Sequence, residues 1–221
     1  MHNPGPLVGA ALFDLDGTLV QSEDSILGCL NAFASHEVRL IPTKQFARVF
    51  GIPLSEFLSA YFPPEELYLA VARFQELYLS DWISQVQLIP GATSVLQRLQ
   101  EASMPVCIAS ANQHRVVQSI LEATGLNVLV GAYQGIEAQT PGLASKSAVV
   151  ACLLKSTNIK GKCAVLIGDT PSDAIAARRN GIPFWAVTYG HGERHALEEL
   201  QPQYVFSEID SVAKMLLTRS S

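Results

Sequence analysis

Only four cysteines occur in 221 residues, at Cys29, Cys107, Cys152 and Cys163, and no two form a C-x-x-C pair. Neither a disulfide framework nor a zinc site is expected. The four thiols, each in an apolar helix-like or strand-like context, should be buried and reduced. Cations are also scarce: 15 Lys and Arg against 20 Asp and Glu leave a net charge of −5. With no face saturated in positive charge, nucleic acid is not an expected partner, and an anionic membrane would be weakly repelled. Long apolar runs are missing too. The N-terminal one, Leu7 to Phe13, is cut short by Asp14 and Asp16 and follows no basic stretch, which fits neither a signal peptide nor a membrane span. The default compartment is the cytoplasm. Among motifs, the chain has no G-x-x-x-x-G-K-[ST] loop, no G-x-G-x-x-G fingerprint and no G-x-S-x-G elbow. P-loop, dinucleotide-binding and serine-hydrolase readings therefore fall away.

Hydrophobic residues make up 48% of the chain and charged residues 16%, enough for a packed core. Val8 to Phe13 is a short continuous apolar run, the mark of a fully buried strand. Similar runs return at Val106 to Ala109, Ala164 to Ile167, Phe184 to Val187 and Tyr204 to Phe206. Helical patterns separate them: Ala92 to Ala102, His114 to Thr124 before Gly125, Lys146 to Lys155, and Pro171 to Asn180 before Gly181. This alternation predicts an α/β fold, a Rossmann-like and mainly parallel sheet with helices on both faces. The stretch from Gln21 to Gln87 breaks the rhythm. It reads as helices at Ser22 to Ala34, Thr43 to Phe50, Leu54 to Tyr61 and Pro64 to Leu79. About 65 residues without a strand are too many for a crossover. The expected organisation is an α/β core domain of residues 1–20 and 88–221 and an inserted helical cap domain of residues 21–87. Its two connections, Val20 to Glu23 and Val86 to Gly91, could act as a hinge.

Ligands of open α/β sheets bind beyond the carboxyl ends of the strands. Asp14-Leu15-Asp16-Gly17-Thr18 follows the first run, Ser110-Ala111-Asn112 the second, and Gly168-Asp169-Thr170-Pro171-Ser172-Asp173 the third, while Lys146 opens a helix that can reach the same edge. An EF-hand is not indicated, since Gly17 is fourth in its motif rather than sixth. Four carboxylates at one crevice would repel one another unless a cation intervened. Hard oxygen ligands suit Mg²⁺, which also takes a phosphate oxygen. Ser110, the backbone N–H groups of Ala111 and Asn112, and Lys146 suit the other oxygens of a phosphoryl group. Together they point to phosphoryl transfer.

These residues resemble the haloacid dehalogenase superfamily. Phe13-Asp14-Leu15-Asp16-Gly17-Thr18-Leu19 matches its first motif, Ser110 the second, Lys146 the third, and Gly168-Asp169 with Asp173 the fourth. The helical insertion is similar to that of the helical-cap branch, the phosphoglycolate phosphatase and β-phosphoglucomutase-like hydrolases. The resemblance implies that Asp14 attacks phosphorus and that Asp16 protonates the leaving oxygen and later activates water. It implies Mg²⁺ held by Asp14, the Asp16 backbone carbonyl and Asp169. Asp173 would hold metal-bound water or orient Lys146, and Ser110 and Lys146 would grip the phosphoryl oxygens. In many relatives Pro follows the third-motif lysine; here the run is Ser145-Lys146-Ser147, so Lys155, Lys160 and Lys162 stay open as alternatives. True dehalogenases lack the second carboxylate, and Asp16 is present, which favours phosphate chemistry. The expected function is a Mg²⁺-dependent phosphatase of a small phosphorylated metabolite. A phosphosugar mutase and a non-catalytic phospho-acceptor signalling domain are the alternatives.

Other residues carry blander readings. His191, in the turn Tyr189-Gly190-His191-Gly192, is read as a surface histidine. Phe74, Tyr78 and Trp82 are read as core of the helical segment. Arg48 and the turn Gly51-Ile52-Pro53 suit the site's rim as readily as ordinary surface.

Overall fold

The computed structural model describes residues 7–37, 49–50, 52–137, 140 and 142–219. Its main sheet has six strands: β1 (Ala10–Phe13), β4 (Val106–Gln113), β5 (Ala132–Ile136), β6 (Ala164–Gly168), β7 (Phe184–Val187) and β8 (Tyr204–Phe206). All pairings are parallel, in the order β5-β4-β1-β6-β7-β8. Every residue of β1, β6 and β7 is buried, because both sheet faces are covered. The faces alternate along each strand. Ala11, Phe13, Val165 and Ile167 join one core, and Leu12, Cys107 and Leu166 join the other. The first core includes residues of α4 (Ala92–Glu101), α5 (His114–Thr124) and α9 (Ile209–Arg219). The second includes residues of α6 (Lys146–Ser156) and α7 (Pro171–Arg179), with Leu197 of the short α8 (Arg194–Glu199).

Between β1 and α4 the chain forms α1 (Glu23–His36), α2 (Leu54–Leu58) and α3 (Pro64–Leu77). Helix α3 starts with Pro64 and two acids in its first turn, which suits the positive end of its dipole. It runs into a wider turn at Tyr78–Trp82. Phe33 lies at the centre of this segment, against Phe62 and edge-on to Phe74 at 5.6 Å between centroids. The expected helix from Thr43 to Phe50 lies mostly outside the described residues, as do Arg48 and Gly51.

Several expectations need correction. The second strand continues four residues past Ala109, so Ser110 lies within β4 rather than beyond its end. β5 was not expected, because Ala132-Tyr133-Gln134-Gly135-Ile136 is an edge strand with no apolar run. The two connections to the helical segment are not isolated tethers. Val20–Gln21 (β2) and Gln87–Leu88 (β3) pair as an antiparallel ribbon. Cys29 and Cys107 are buried, but Cys152 is half-buried and Cys163 exposed; all four are free thiols. Burial pushes the Cys29 thiol up to about 12 and Cys107 up to about 11, so both stay protonated at neutral pH. No helix among the described residues is long and apolar enough to cross a membrane.

The packing of α1 generates a stability prediction. A methyl group at Gly28 would strike the ring of Trp82. Gly→Ala in a helix ordinarily stabilises, yet overpacking here should cost about 1–3 kcal/mol. Gly28→Ala should therefore lower the melting temperature in a thermal scan. A rise would mean that the indole moves aside freely.

Candidate active site

Strand register brings the motifs together. Phe13 pairs with Ile108 on one side and Ile167 on the other. One residue beyond Phe13 stands Asp14, and two beyond its partners stand Ser110 and Asp169. β1 is also where strand order reverses, with β4 and β5 on one side and β6 to β8 on the other, so the crevice for a ligand opens there.

The loop after β1 is wound tightly. Leu19 and Val20 N–H both donate to the Leu15 carbonyl, and Gly17 N–H donates to the Val20 carbonyl. Gly17 has φ +75°, and a Cβ there would collide with Asp169 and His191. Thr18 Oγ1 donates to Asp169 Oδ1 at 3.1 Å, and Tyr189 Oη donates to the Thr18 carbonyl at 3.0 Å.

Asp14, Asp169 and Asp173 are all buried, and each offers a carboxylate oxygen within 4.8 Å of the others. Lys146, at the first turn of α6, is 4% exposed and lies between two of them. Its Nζ is 2.6 Å from Asp14 Oδ1 and 2.5 Å from Asp173 Oδ1. Leu15 N–H also donates to Asp14 Oδ1, at 2.7 Å, so two donors fix the plane of that carboxylate. Asp173 Oδ2 accepts from the backbone and hydroxyl of Thr170. Asp173 thus ties down the start of α7 and holds Lys146 at once. Lys155 and Lys160 are exposed.

The charges are strained by their burial. Desolvation, then the Asp173 charge, raises the Asp14 carboxyl well above the usual range, although Lys146 opposes both. Desolvation raises Asp173 as well. Burial disfavours the lysine's charge, yet Asp14 and Asp173 outweigh it and hold the ammonium above its ordinary value. One ammonium faces three carboxylates, and an all-oxygen set of this kind fits a small hard cation that would relieve their repulsion.

Asp16 stands apart from that cluster. Its Oδ1 accepts from Ser22 Oγ at 2.5 Å and its Oδ2 from Asn112 Nδ2 at 2.8 Å. Burial raises its carboxyl above the ordinary value, with the Ser22 bond acting in the other direction. The Asn112 N–H donates to Ser110 Oγ at 3.0 Å. Asn112 therefore reaches Asp16 through its side chain, a contact beyond the backbone role expected for it. Ala111 and Ser110 line the same cavity, of about 470 Å³, with Asp14, Asp16, Asn112 and Lys146.

His191 is not a surface-turn residue. Its side chain is 8% exposed, its backbone N–H donates to Asp169 Oδ2 at 2.7 Å, and its ring stacks on Phe50 with centroids 4.0 Å apart. A Cβ at Gly190 or Gly192 would strike Asp169, which is why glycines flank it. The two flanking glycines were the one available signal in the sequence. Phe74 and Tyr78 are core residues as expected, but they also line the cavity, as do Ile52 and Pro53.

The haloacid dehalogenase-like hydrolase model matches residues 11–187. The chain belongs to that family. This haloacid dehalogenase-like hydrolase is 28% identical over 198 residues to a phosphoglycolate phosphatase of Synechococcus elongatus, covering 89% of this chain and 91% of that protein. It is 27% identical to a phosphoglycolate phosphatase of Caulobacter vibrioides, covering 96% and 92%. Among solved structures it is similar to a predicted phosphatase from Clostridium acetobutylicum, with TM-score 0.87, 25% identity, and 96% and 99% of the two chains covered. A haloacid dehalogenase-like hydrolase from Streptococcus pneumoniae gives TM-score 0.83 at 26% identity, covering 94% and 98%.

The carboxylate cluster predicts a thermal response. At about 100 times its Kd, Mg²⁺ should stabilise the folded chain by about 2.7 kcal/mol. For a chain of this size that is a rise of about 5–10 °C in melting temperature. Asp14 and Asp173 are raised in the fold, so their contribution to metal-free stability is full below the ordinary carboxylate value. It is lost as pH rises through the raised values. The Mg²⁺ effect should accordingly be larger at pH 7.5 than at pH 5. Asp169→Asn should lose most of it; a full Mg²⁺ response in that variant would exclude the cluster as the metal site.

Proposed function

We propose that the chain is a Mg²⁺-dependent phosphatase that hydrolyses a small phosphomonoester through an aspartyl-phosphate on Asp14. The observation that carries this reading is the separation of two carboxylates of one motif. Asp14 is clamped by Lys146 beside Asp169 and Asp173, while Asp16 is held away from them by Ser22 and Asn112. The first environment keeps a carboxylate fixed and compensated for attack. Burial raises both carboxyls; a bound cation would hold Asp14 ionised, whereas Asp16, outside the cluster, would keep its proton until the departing oxygen takes it.

In the first half-reaction an Asp14 oxygen bonds to phosphorus and the ester P–O bond breaks, while Asp16 passes its proton to the departing alcohol oxygen. In the second, Asp16 takes a proton from water as that water bonds to phosphorus. The acyl-phosphate P–O bond breaks, and the Asp14 carboxylate and inorganic phosphate are released. Lys146, Ser110 and the backbone of Ala111 and Asn112 hold the phosphoryl oxygens. Asp14, Asp169, Asp173 and the Asp16 backbone carbonyl would hold Mg²⁺ directly or through water, and the bound ion would neutralise phosphate charge near the nucleophile.

Residues 21–87 act in this reading as a cap domain over a core of 1–20 and 88–221, closing to exclude bulk water. The ring stack of His191 on Phe50 and the bond from Ser22 to Asp16 support it, since both cross between the two sets of residues. Free thiols fit a cytoplasmic setting.

Asp14→Asn should abolish turnover while the protein stays folded. Asp16→Asn should slow both half-reactions by about 10²–10⁴-fold. With p-nitrophenyl phosphate, whose leaving group needs little protonation, formation should recover. The variant should then give a burst of nitrophenol and a low steady rate. Rapid-quench trapping of enzyme-bound phosphate checks this. A steady rate equal to the unmutated protein with no trapped phosphate would remove Asp16 from the acid–base role. A sugar phosphate isomerised rather than hydrolysed would indicate a mutase, and a long-lived acyl phosphate without turnover would indicate a signalling domain.

A further inference from the structure

The cavity above Asp14 and Asp16 has a wall unlike its floor. The floor is ionic. The wall is formed largely by Val49, Phe50, Leu54, Val71, Phe74 and Tyr78. Phe74 and Tyr78 lie nearly parallel, 9° between planes and 6.2 Å between centroids, and each is no more than 5% exposed. Among the described residues lining the cavity, Lys146 is the only cation, and its ammonium is bound to Asp14 and Asp173. Arg115 comes near without lining it; its Nη2 donates to Gln75 Oε1 at 2.6 Å. The wall does contain a further acid, Glu137.

These features bear on what leaves when phosphorus is attacked. A leaving group carrying a carboxylate needs a cation beyond the phosphate site, and among the described residues it would meet Glu137 and an apolar surface. A two-carbon acid would also fill little of about 470 Å³. A polyol needs several convergent hydrogen-bond partners, while the wall offers chiefly Ser55, Gln75 and Gln113. An apolar or aromatic alcohol meets none of these penalties and buries its surface against the rings and branched side chains.

Resting on the phosphatase reading above, we propose that the preferred substrates are phosphomonoesters of a largely apolar alcohol, larger than a two-carbon acid. The cap-side wall, not the phosphate cradle, sets this preference.

The test is a rate comparison on the full chain with Mg²⁺ at pH 7.5. The substrates are 2-phenylethyl phosphate, 2-phosphoglycolate and glucose 6-phosphate, whose leaving alcohols are all weakly acidic, with p-nitrophenyl phosphate as a reactivity control. The expected kcat/KM for 2-phenylethyl phosphate exceeds both others by at least about tenfold, the scale that apolar-pocket discrimination reaches. Val71→Asn should narrow that ratio by lowering the phenylethyl value. Glu137→Gln, at a half-buried position, should narrow it by raising the phosphoglycolate value several-fold. If 2-phosphoglycolate or glucose 6-phosphate is the better substrate, the apolar assignment fails and the phosphatase reading stands. If the preference exists but neither variant changes it, the wall is not its source and the inference is overturned. If no phosphate is released even from p-nitrophenyl phosphate, the phosphatase reading fails and takes this inference with it.

Discussion

Lys146 lies within 2.6 Å of both Asp14 and Asp173, almost out of reach of solvent, and much of the site's arrangement follows from that contact. Buried carboxylates so close together are unstable unless positive charge is placed among them. The ammonium supplies part of that charge and, through Asp173, ties α6 to the start of α7. Asp169 is held separately, by Thr18 from the β1 loop and by His191 from the loop after β7. The ends of three strands and the starts of two helices are thereby connected through one charged cluster. A residual excess of negative charge remains, and an excess of that kind suits a divalent cation.

Much of the fold was legible because its strands are buried on both faces. Strands such as Ala164–Gly168 and Phe184–Val187 cannot hide in the sequence, since each position must be apolar. The edge strand Ala132–Ile136 could, because its outer positions tolerate Tyr and Gln. The ribbon of Val20–Gln21 with Gln87–Leu88 was also hidden; pairing across some 65 residues leaves no local pattern to read.

The candidate site was legible wherever its residues follow an apolar run, as Asp14 and Asp169 do at the ends of their strands and Ser110 does inside its longer one. Asp173 and Lys146 were readable through helix starts. His191 was not, because a histidine between glycines has the look of an exposed turn until the nearness of Asp169 is known. The Asn112 side chain was assigned no partner for a related reason: its contact with Asp16 joins a strand to a loop 96 positions away in the chain. Phe74 and Tyr78 have two uses, packing their own segment and facing the cavity, and only the first follows from helical spacing.

The paired connection also restricts how the helical segment can be displaced. Two separate tethers would let a body translate, tilt and spin with little coupling. A ribbon whose strands are hydrogen-bonded to each other resists sliding of one strand past the other, and bending or twisting of the pair are its softer deformations. The ribbon is anchored next to the motif itself: Gly17 N–H donates to the Val20 carbonyl and Ile89 N–H to the Leu19 carbonyl. Ser22, just past the ribbon, donates to Asp16. The fulcrum of any such bending therefore lies beside the Asp16 carboxyl group. Rotation of the helices would be felt first as a change in the length of the Ser22–Asp16 bond, so the acidity of Asp16 and the attitude of the helices are geared to one another.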